Sequence, residues 1–505
     1  MNLRLLPTLF GLAIVVLLTV LRIADPYPLQ VARDVGFDVY QRLKPRTGPA
    51  GPVRVLDIDE ASLAQYGQWP WPRDLMARIT DRLTALGAAA IGFDVIFAEP
   101  DRLSPKTLAA LVPGLDAASM PDNDVTFATA LAQSRSVVGF SLSPAAPPLV
   151  MPAKAGFAIS GSDPKPSLPQ VRGAVTPLPA LQAAAAGFGG LSLETNESAS
   201  AVRNLPLLWA AGDKLYPAFS IEALRLALGE GTIVALGDTT DANTAEGLKL
   251  GPFTIPTTAD GNLVLYYRQP DPKLYVSADA ILGEHWQDAA PLIAGEIVLI
   301  GTSASGLLDL HQTTLGTIVP GVSIHAEAID QIVSGQFLTR ADWVRGLEIL
   351  AFVITGLLLV LVVLRLGPLA GLLVGGGLVA GIAAGGWLLF SSYGLLADVT
   401  FPVVGAILVY GAMVYFQFSI SDRGRRAVRR AFSYYVATEL LTEIEKNAGE
   451  IKLGGELREI TVMFSDMRGF TSYTEKHTPH ETLATLNALF GALGKQIVDR
   501  FGTID

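Results

Sequence analysis

The sequence predicts a multidomain membrane protein: an α/β extracytoplasmic domain, four transmembrane helices, and the start of an α+β domain on the other side. Three observations carry this. The chain has 505 residues, 50% of them hydrophobic, and a mean hydropathy of +0.41, too long for one domain and too apolar for a purely soluble protein. Four apolar runs reach the roughly 17 to 25 residues that a helix needs to cross a bilayer. Between the first run and the other three, strand-like and helix-like segments alternate, as they do around an α/β sheet.

The first run covers residues 5–21, follows Arg4 and lacks a persuasive small-x-small cleavage site. Its length favours a retained anchor over a cleaved signal peptide, with Ala24 as the feature on the other side. The remaining runs cover residues 347–364, 369–390 and 396–418. Arg365 lies between the second and third, the turn at 391–398 holds no base, and Arg423, Arg425, Arg426, Arg429 and Arg430 follow the fourth. The positive-inside rule then places the amino terminus, the Arg365 turn and the carboxyl end in the cytoplasm, and residues 24–340 outside. Ionisable groups are almost absent from the runs, which argues for anchoring and signal transfer over transport. The third run is rich in glycine (Gly371, Gly375, Gly376, Gly377, Gly381, Gly385, Gly386), which suits close helix approach or simply a glycine-tolerant membrane helix.

Charge and cysteine usage exclude whole classes of function. A net charge of −10 and a pI near 5.1 provide no basic field, so no nucleic-acid partner is expected. With no cysteine in the chain there are no disulfides, thiolate metal sites or thiol nucleophiles.

Within the outer segment, V-R-V-L-D-I-D-E at 53–60 alternates as a strand and ends in acid. Leu75, Ile79, Leu83 and Leu86 share one helical face, and residues 88–95 and 136–142 read as buried strands. Residues 143–195 break the pattern with Pro and Ala clusters and read as a long loop or insertion. A helix is expected at 216–228 and strands at 262–267 and 296–302. Asp57, Asp59, Asp94, Glu99 and Asp101 lie near the carboxyl ends of expected strands, where open α/β sheets place ligand crevices. They could bind a cation, perform acid–base hydrolysis, or merely cap helices and shape turns; ligand binding without chemistry is the favoured role. His311 and His325, near Asp309, could ligate metal or serve ordinary polar roles. Trp69-Pro70-Trp71-Pro72 could line a pocket, but general frequency favours core packing.

At the other end, I-T-V-M-F-S-D-M-R-G-F-T at 460–471 has a β-branched and aromatic run that reads as a buried strand over 460–464. Asp466 follows it, and Gly469, Phe470 and Thr471 open the next turn. A carboxylate there can hold a hard cation, and N–H groups of a glycine turn can hold phosphate oxygens; both are also ordinary turn residues. A helix is expected at 479–501, started by Pro479, with Leu483, Leu486, Leu489, Phe490, Leu493, Ile497 and Phe501 on one face. Ahead of the motif, residues 431–446 carry a partial helical stripe, suited to pairing with a second copy or to resting on a surface.

F-S-D-M-R-G-F-T followed by S-Y-T-E, with F-S-Y-Y-V and L-G-G-E-L-R-E-I-T-V upstream, resembles the first metal-binding segment of class III nucleotide cyclases over about 75 residues. That resemblance implies a ferredoxin-like α+β catalytic domain and a homodimer paired through it and its linker. The implied cofactors are two divalent cations, Mg or Mn, with ATP as the substrate converted to cyclic AMP. It also implies that Asp466 ligates both cations, that the Met467 carbonyl ligates one, and that Gly469, Phe470 and Thr471 present N–H groups to phosphates. Arg468 and Ser465 take local structural roles, and no catalytic residue is assigned. Family members continue G-T-I-D into a K-F-I-G-D-like segment carrying a second metal-binding aspartate and a purine-selecting lysine. The sequence stops at Asp505, the residue before that lysine, so it is expected to bind nucleotide poorly and turn over none. No G-G-D-E-F-like run supports a diguanylate cyclase.

V-L-D-I-D-E-A-S-L, Y-G-Q-W-P-W-P-R-D-L, G-F-D-V-I-F-A-E-P-D, I-V-L-I-G-T-S-A-S-G-L-L-D and P-G-V-S-I-H-A are similar to the extracellular CHASE2 sensory domain of bacterial receptors, over about 310 residues. The expected organisation is an anchor at 1–23, a CHASE2-like sensor at 24–340 for an unknown external ligand, and three membrane helices at 345–420. A linker at 421–457 and the first part of a cyclase domain at 458–505 complete it. A non-catalytic receptor that regulates a partner cyclase, and an outer domain with its own activity, are the alternatives.

Overall fold

The computed structural model describes residues 6–112, 116–193, 201–239, 241, 243–304, 309–432, 459–500, 502 and 504. They fall into two compact units, one of residues 16–356 and 375–406, the other of 1–15, 357–374 and 407–505.

The first unit is built on a mostly parallel sheet. Its strands are β1 (Val53–Ile58), β2 (Ala90–Phe93), β3 (Ser136–Leu142), β4 (Ala174–Val175), β5 (Gly187–Gly190), β6 (Tyr275–Ser277) and β7 (Ile297–Thr302). Their order is β6-β1-β7-β2-β3-β4, with β5 also paired to β3; every pairing is parallel except β3 with β4. Central β7 (I-V-L-I-G-T) has no polar side chain before Thr302 because both faces of a parallel sheet are covered. Val53 and Val55 of β1 join a cluster with Phe219, Ile221, Ile324 and Ile329, while Leu56 and Ile58 join one with Leu75, Ile79, Leu131 and Ile293. Alternation along one strand thus serves two cores. On the second face Phe93, Phe97 and Phe127 meet edge to face with ring centroids 5.1 to 5.7 Å apart.

The expected strands at 53–60, 88–95, 136–142 and 296–302 are present, as is the helix Arg73–Ala85. Three expectations need correction. Residues 143–195 are not a loop: they hold strand Gly156–Ser160, β4, helix Pro179–Ala184 and β5. Strand Gly156–Ser160 pairs with Thr232–Gly237 in a second, four-stranded sheet. β5 is the glycine run G-F-G-G, and the strand needs those glycines, since a Cβ on Gly189 would lie 2.3 Å from the Phe219 Cα. The helix expected from 216 begins at Phe219, because Lys214–Pro217 pairs as a strand with Leu208–Ala211. The strand expected at 262–267 ends at Val264.

Four helices are long and apolar enough to cross a membrane: Leu6–Ala24, Asp342–Leu366, Pro368–Tyr393 and the first 20 residues of Thr400–Phe432. The last begins after 396 because Asp398 caps it, accepting hydrogen bonds from the N–H groups of Thr400 (2.9 Å) and Phe401 (3.3 Å). A buried ion network, not foreseen from sequence, ties the ends of three of them. Arg22 lies 2.6 Å from Glu348 and 3.0 Å from Asp398, and Arg340 lies 2.9 Å from Glu348. Of the glycines in Pro368–Tyr393, a Cβ on Gly371 or Gly386 would collide with a neighbour, whereas Gly376, Gly377, Gly381 and Gly385 face open space. Close approach is therefore seen toward the two ends of the helix, at Gly371 and Gly386. A helix at Tyr27–Leu43, also not anticipated, follows the first span.

In the second unit, helix Pro479–Val498 forms where expected, opened by a capping box in which the Glu481 N–H donates to the Thr478 hydroxyl and the Thr478 N–H to the Glu481 carboxylate. Residues 460–464 correct another expectation, since they form no strand. Strand backbone must pair, and no described strand lies beside them, so Ile460, Val462 and Met463 are exposed and Phe464 is 94% exposed. Of the expected linker helix at 431–446, residues 433–446 lie outside the described residues.

Candidate functional sites

The carboxyl-terminal motif is a short turn and helix. Gly469 has φ +80°, a left-handed conformation natural to glycine, and precedes helix Phe470–Thr474. Asp466 is exposed, and its carboxylate accepts from the Met467 N–H at 2.8 Å. The Met467 carbonyl accepts a turn bond from the Phe470 N–H at 3.3 Å, and the Gly469 carbonyl accepts from the Tyr473 N–H at 3.0 Å. Helix Phe470–Thr474 is held to Pro479–Val498 through the Tyr473 hydroxyl and Thr485 Oγ1, 2.8 Å apart. Asp466, Met467, Gly469, Phe470 and Thr471 are thus neighbours on one exposed turn. Asp466 and the Met467 carbonyl are hard oxygen donors of the type Mg²⁺ takes, but two donors fall short of its octahedral set. The residues present fit a divalent cation in kind and supply part of its shell.

In the first unit, a cleft of about 910 Å³ opens at the carboxyl ends of the parallel strands. Asp94 follows β2, Thr302 ends β7, Ser141 lies in β3, and Leu191, Ser192 and Leu193 follow β5; Trp69, Arg73, Glu99, Asp309 and His311 complete the wall. The five acidic residues at strand ends separate here by their partners. Asp57 accepts from the Ser303 N–H (2.9 Å) and hydroxyl (2.6 Å); burial raises its carboxyl, and the Ser303 bonds oppose that rise. Asp59 caps helix Glu60–Tyr66 by accepting from the Ser62 N–H at 2.8 Å. Burial would raise its carboxyl, but the Ser62 bonds outweigh that and hold it below the usual range. Asp101 accepts from the N–H groups of Arg73 and Leu103 and from Asn123. These three are structural, and only Asp94 and Glu99 line the cleft.

The Asp94 N–H donates to the Ile300 carbonyl at 2.9 Å, and its carboxylate has no hydrogen-bond or ion-pair partner among the described residues. Burial, and after it the Asp309 charge, push its carboxyl well above the ordinary range. A carboxyl raised in the folded state contributes stability below its unfolded value, and that contribution is lost as pH rises through the folded value. Asp94→Asn is therefore expected to raise the melting temperature at pH 7, with a gain that shrinks toward pH 4; a lower melting temperature at pH 7 would contradict this.

The two histidines take different roles. His311 lies 2.9 Å from Asp309 on the cleft wall. His325 is fully buried, packs on the Phe219 ring at 5.1 Å and donates from Nε2 to the Leu191 carbonyl at 3.2 Å. Burial lowers it to about 4, so it is neutral in the fold. Below its unfolded value of about 6.5 the unfolded chain gains a proton that the folded chain does not. Its contribution is thus full above that value and is lost toward pH 4, by on the order of 2 to 3 kcal/mol. Melting of His325→Phe beside the parent checks this, the parent's relative stability falling as pH drops. Among the described residues no group of three or more His, Cys, Asp or Glu is placed to hold a metal.

The Trp-Pro repeat divides as well. Trp71 is buried, donates to the Gly67 carbonyl at 2.8 Å and meets Tyr66 and Trp69 edge-on, which is core packing. Trp69 and Pro70 line the cleft. Sequence reasoning identified Asp94 and Glu99 but did not join them to Trp69 or to Asp309 and His311, the latter in the short strand Leu310–Gln312.

A model of the CHASE2 domain matches residues 12–362, and one of the adenylate and guanylate cyclase catalytic domain matches residues 455–502. No curated protein and no solved structure matches the chain. The second match contains the Asp466 turn and helix Pro479–Val498, and is a partial one. With the first match spanning more than half of its length, the chain belongs to the CHASE2 domain family and joins that domain to part of an adenylate/guanylate cyclase catalytic domain.

Proposed function

We propose that the chain is a transmembrane receptor nucleotide cyclase, making cyclic AMP and pyrophosphate from ATP under control of an extracytoplasmic CHASE2 sensor. The observation that carries this is the joining, in one chain, of a CHASE2 match and a cyclase match with three membrane-length apolar helices at 342–419. The sensor at 24–340 faces outward from the inner (plasma) membrane. The linker at 421–457 and the cyclase part at 458–505 are cytoplasmic, an orientation supported by Arg365 and the arginines at 423–430. Two chains pair through cyclase domain and linker.

In the reaction, a bond forms from the ribose 3′-oxygen to the α-phosphorus, the bond to pyrophosphate breaks, and the 3′-hydroxyl proton leaves. Bound Mg²⁺ or Mn²⁺ supplies charge stabilisation at the attacking and leaving oxygens. Asp466 and the Met467 carbonyl would hold the cations, and the N–H groups of Gly469, Phe470 and Thr471 would orient the phosphates.

Membranes carrying the chain continued through a whole class III catalytic domain test the reading, with Mn-ATP and Mn-GTP offered separately and products identified by mass spectrometry. Cyclic AMP is expected. Cyclic GMP alone would overturn the substrate, and no cyclic nucleotide would overturn the cyclase assignment. The exposed Ile460, Val462, Met463 and Phe464 also favour a second reading, in which this chain regulates an intact partner cyclase by having that surface covered. In that case the chain makes no cyclic AMP itself but changes the rate of a co-expressed class III cyclase.

A further inference from the structure

The cleft of the first unit is large enough for a small-molecule ligand, at about 910 Å³. Open α/β sheets bind ligands outside the carboxyl ends of their strands, and the cleft occupies that position. Its lining narrows the chemistry. Three carboxylates, Asp94, Glu99 and Asp309, face one guanidinium. That guanidinium, of Arg73, lies over the Phe97 ring at 4.4 Å and is paired with Asp124 at 3.7 Å, so its charge is already answered. Asp309 is paired with His311 at 2.9 Å, which leaves Asp94 and Glu99 as the cleft carboxylates without a cationic partner among the described residues. Asp94 is the sharpest element: a carboxylate walled in by the cleft, with acceptor oxygens that nothing among the described residues satisfies. The side chain is half-buried on the cleft wall, so its oxygens are reached from the cleft and not from the protein interior.

A bare metal ion does not fit, because no cluster of three or more acidic or histidine ligands is assembled among the described residues. The wall also carries apolar surface from Trp69, Ile96, Leu191 and Leu193, which a hydrated ion would not use. An ammonium group satisfies carboxylates through charge-assisted hydrogen bonds, and an indole ring accepts a cation or its adjoining methylenes.

We propose that this cleft is a ligand site for a small organic cation, an amine on a partly apolar body, whose ammonium group rests on Asp94 and Asp309 and whose methylenes pack on Trp69 and Leu193. This names the ligand class for the sensor role proposed above, and its test reads binding rather than cyclic nucleotide, so either can fail without the other.

The full chain in detergent or nanodiscs is titrated calorimetrically with cadaverine and with agmatine. Glutarate serves as an anionic control of similar length, and MgCl₂ and CaCl₂ as metal controls. Saturable binding of at least one of the two amines is expected, with none of glutarate. Asp94→Asn, which keeps the fold and is expected to melt higher at pH 7, weakens that binding roughly 10- to 100-fold. Trp69→Leu weakens it less, and Val150→Ala, on an exposed residue outside the cleft lining, leaves it unchanged. No saturable amine binding, binding of glutarate or the metals only, or amine binding that Asp94→Asn leaves intact would each overturn the proposal.

Discussion

Asp466→Ala, in a chain carrying a whole class III catalytic domain, is expected to lower cyclic AMP formation on the order of 10²- to 10³-fold. Losing a metal-binding carboxylate removes several kcal/mol of charge stabilisation from the transition state, and each 1.36 kcal/mol is about tenfold in rate. The surroundings make the test clean. The Asp466 side chain is exposed, and among the described residues its one hydrogen bond is to the adjacent Met467 N–H. Substitutions at such surface positions change stability by only about 0.5 kcal/mol. Activity should collapse while the melting temperature stays put. A variant that retains most of its activity removes Asp466 from the metal site.

The largest expected effect on stability is at Arg46. This guanidinium is 1% exposed and donates to the Tyr266 carbonyl (2.9 Å), Ser334 Oγ (3.0 Å), Glu327 (2.6 Å) and Asp330. The Gly51 N–H and Arg268 also bond to Asp330, the latter at 2.8 Å. Removing one member of a buried charge network leaves the others uncompensated, at about 3 to 5 kcal/mol. Because Arg268 still serves Asp330, and its N–H still serves Glu327 at 2.8 Å, Arg46→Met should fall near the low end, about 3 kcal/mol. That corresponds to a drop of roughly 6 to 10 °C in melting temperature. Adding Glu327→Gln to Arg46→Met should recover part of the loss, since the stranded charge is then removed. No recovery would mean that the guanidinium acts through packing and not charge.

The parallel strands were legible because burial on both faces leaves a short apolar run such as Ile297–Thr302, a pattern that few local structures besides a buried strand produce. β5 was not, because G-F-G-G has no strand propensity; its conformation answers to the Phe219 backbone passing above it, a tertiary fact. Residues 460–464 erred the other way, with strand composition and no neighbour among the described residues to pair with. For the cleft of the first unit, residue type alone could not distinguish Asp94 from Asp57, Asp59 and Asp101. All four lie at or shortly after the ends of expected strands. Only the partners that three of them find, at Ser303, Ser62 and Asn123, separate structural carboxylates from the one left facing the cleft. The Arg22–Glu348–Asp398 network was hidden for a similar reason, its members being 326 and 50 residues apart.

The claim that joins the two halves of the molecule is that the sensor and the cyclase segment face opposite sides of one membrane. The absence of cysteine makes this directly measurable, since a single introduced thiol is the sole site for a maleimide. Val150→Cys and His480→Cys each place that thiol at an exposed position, one in each unit. With a membrane-impermeant maleimide, intact cells should be labelled at position 150 and not at 480, and permeabilised cells at both. Labelling of position 480 in intact cells, or of position 150 only after permeabilisation, would contradict a receptor that listens outside and acts within.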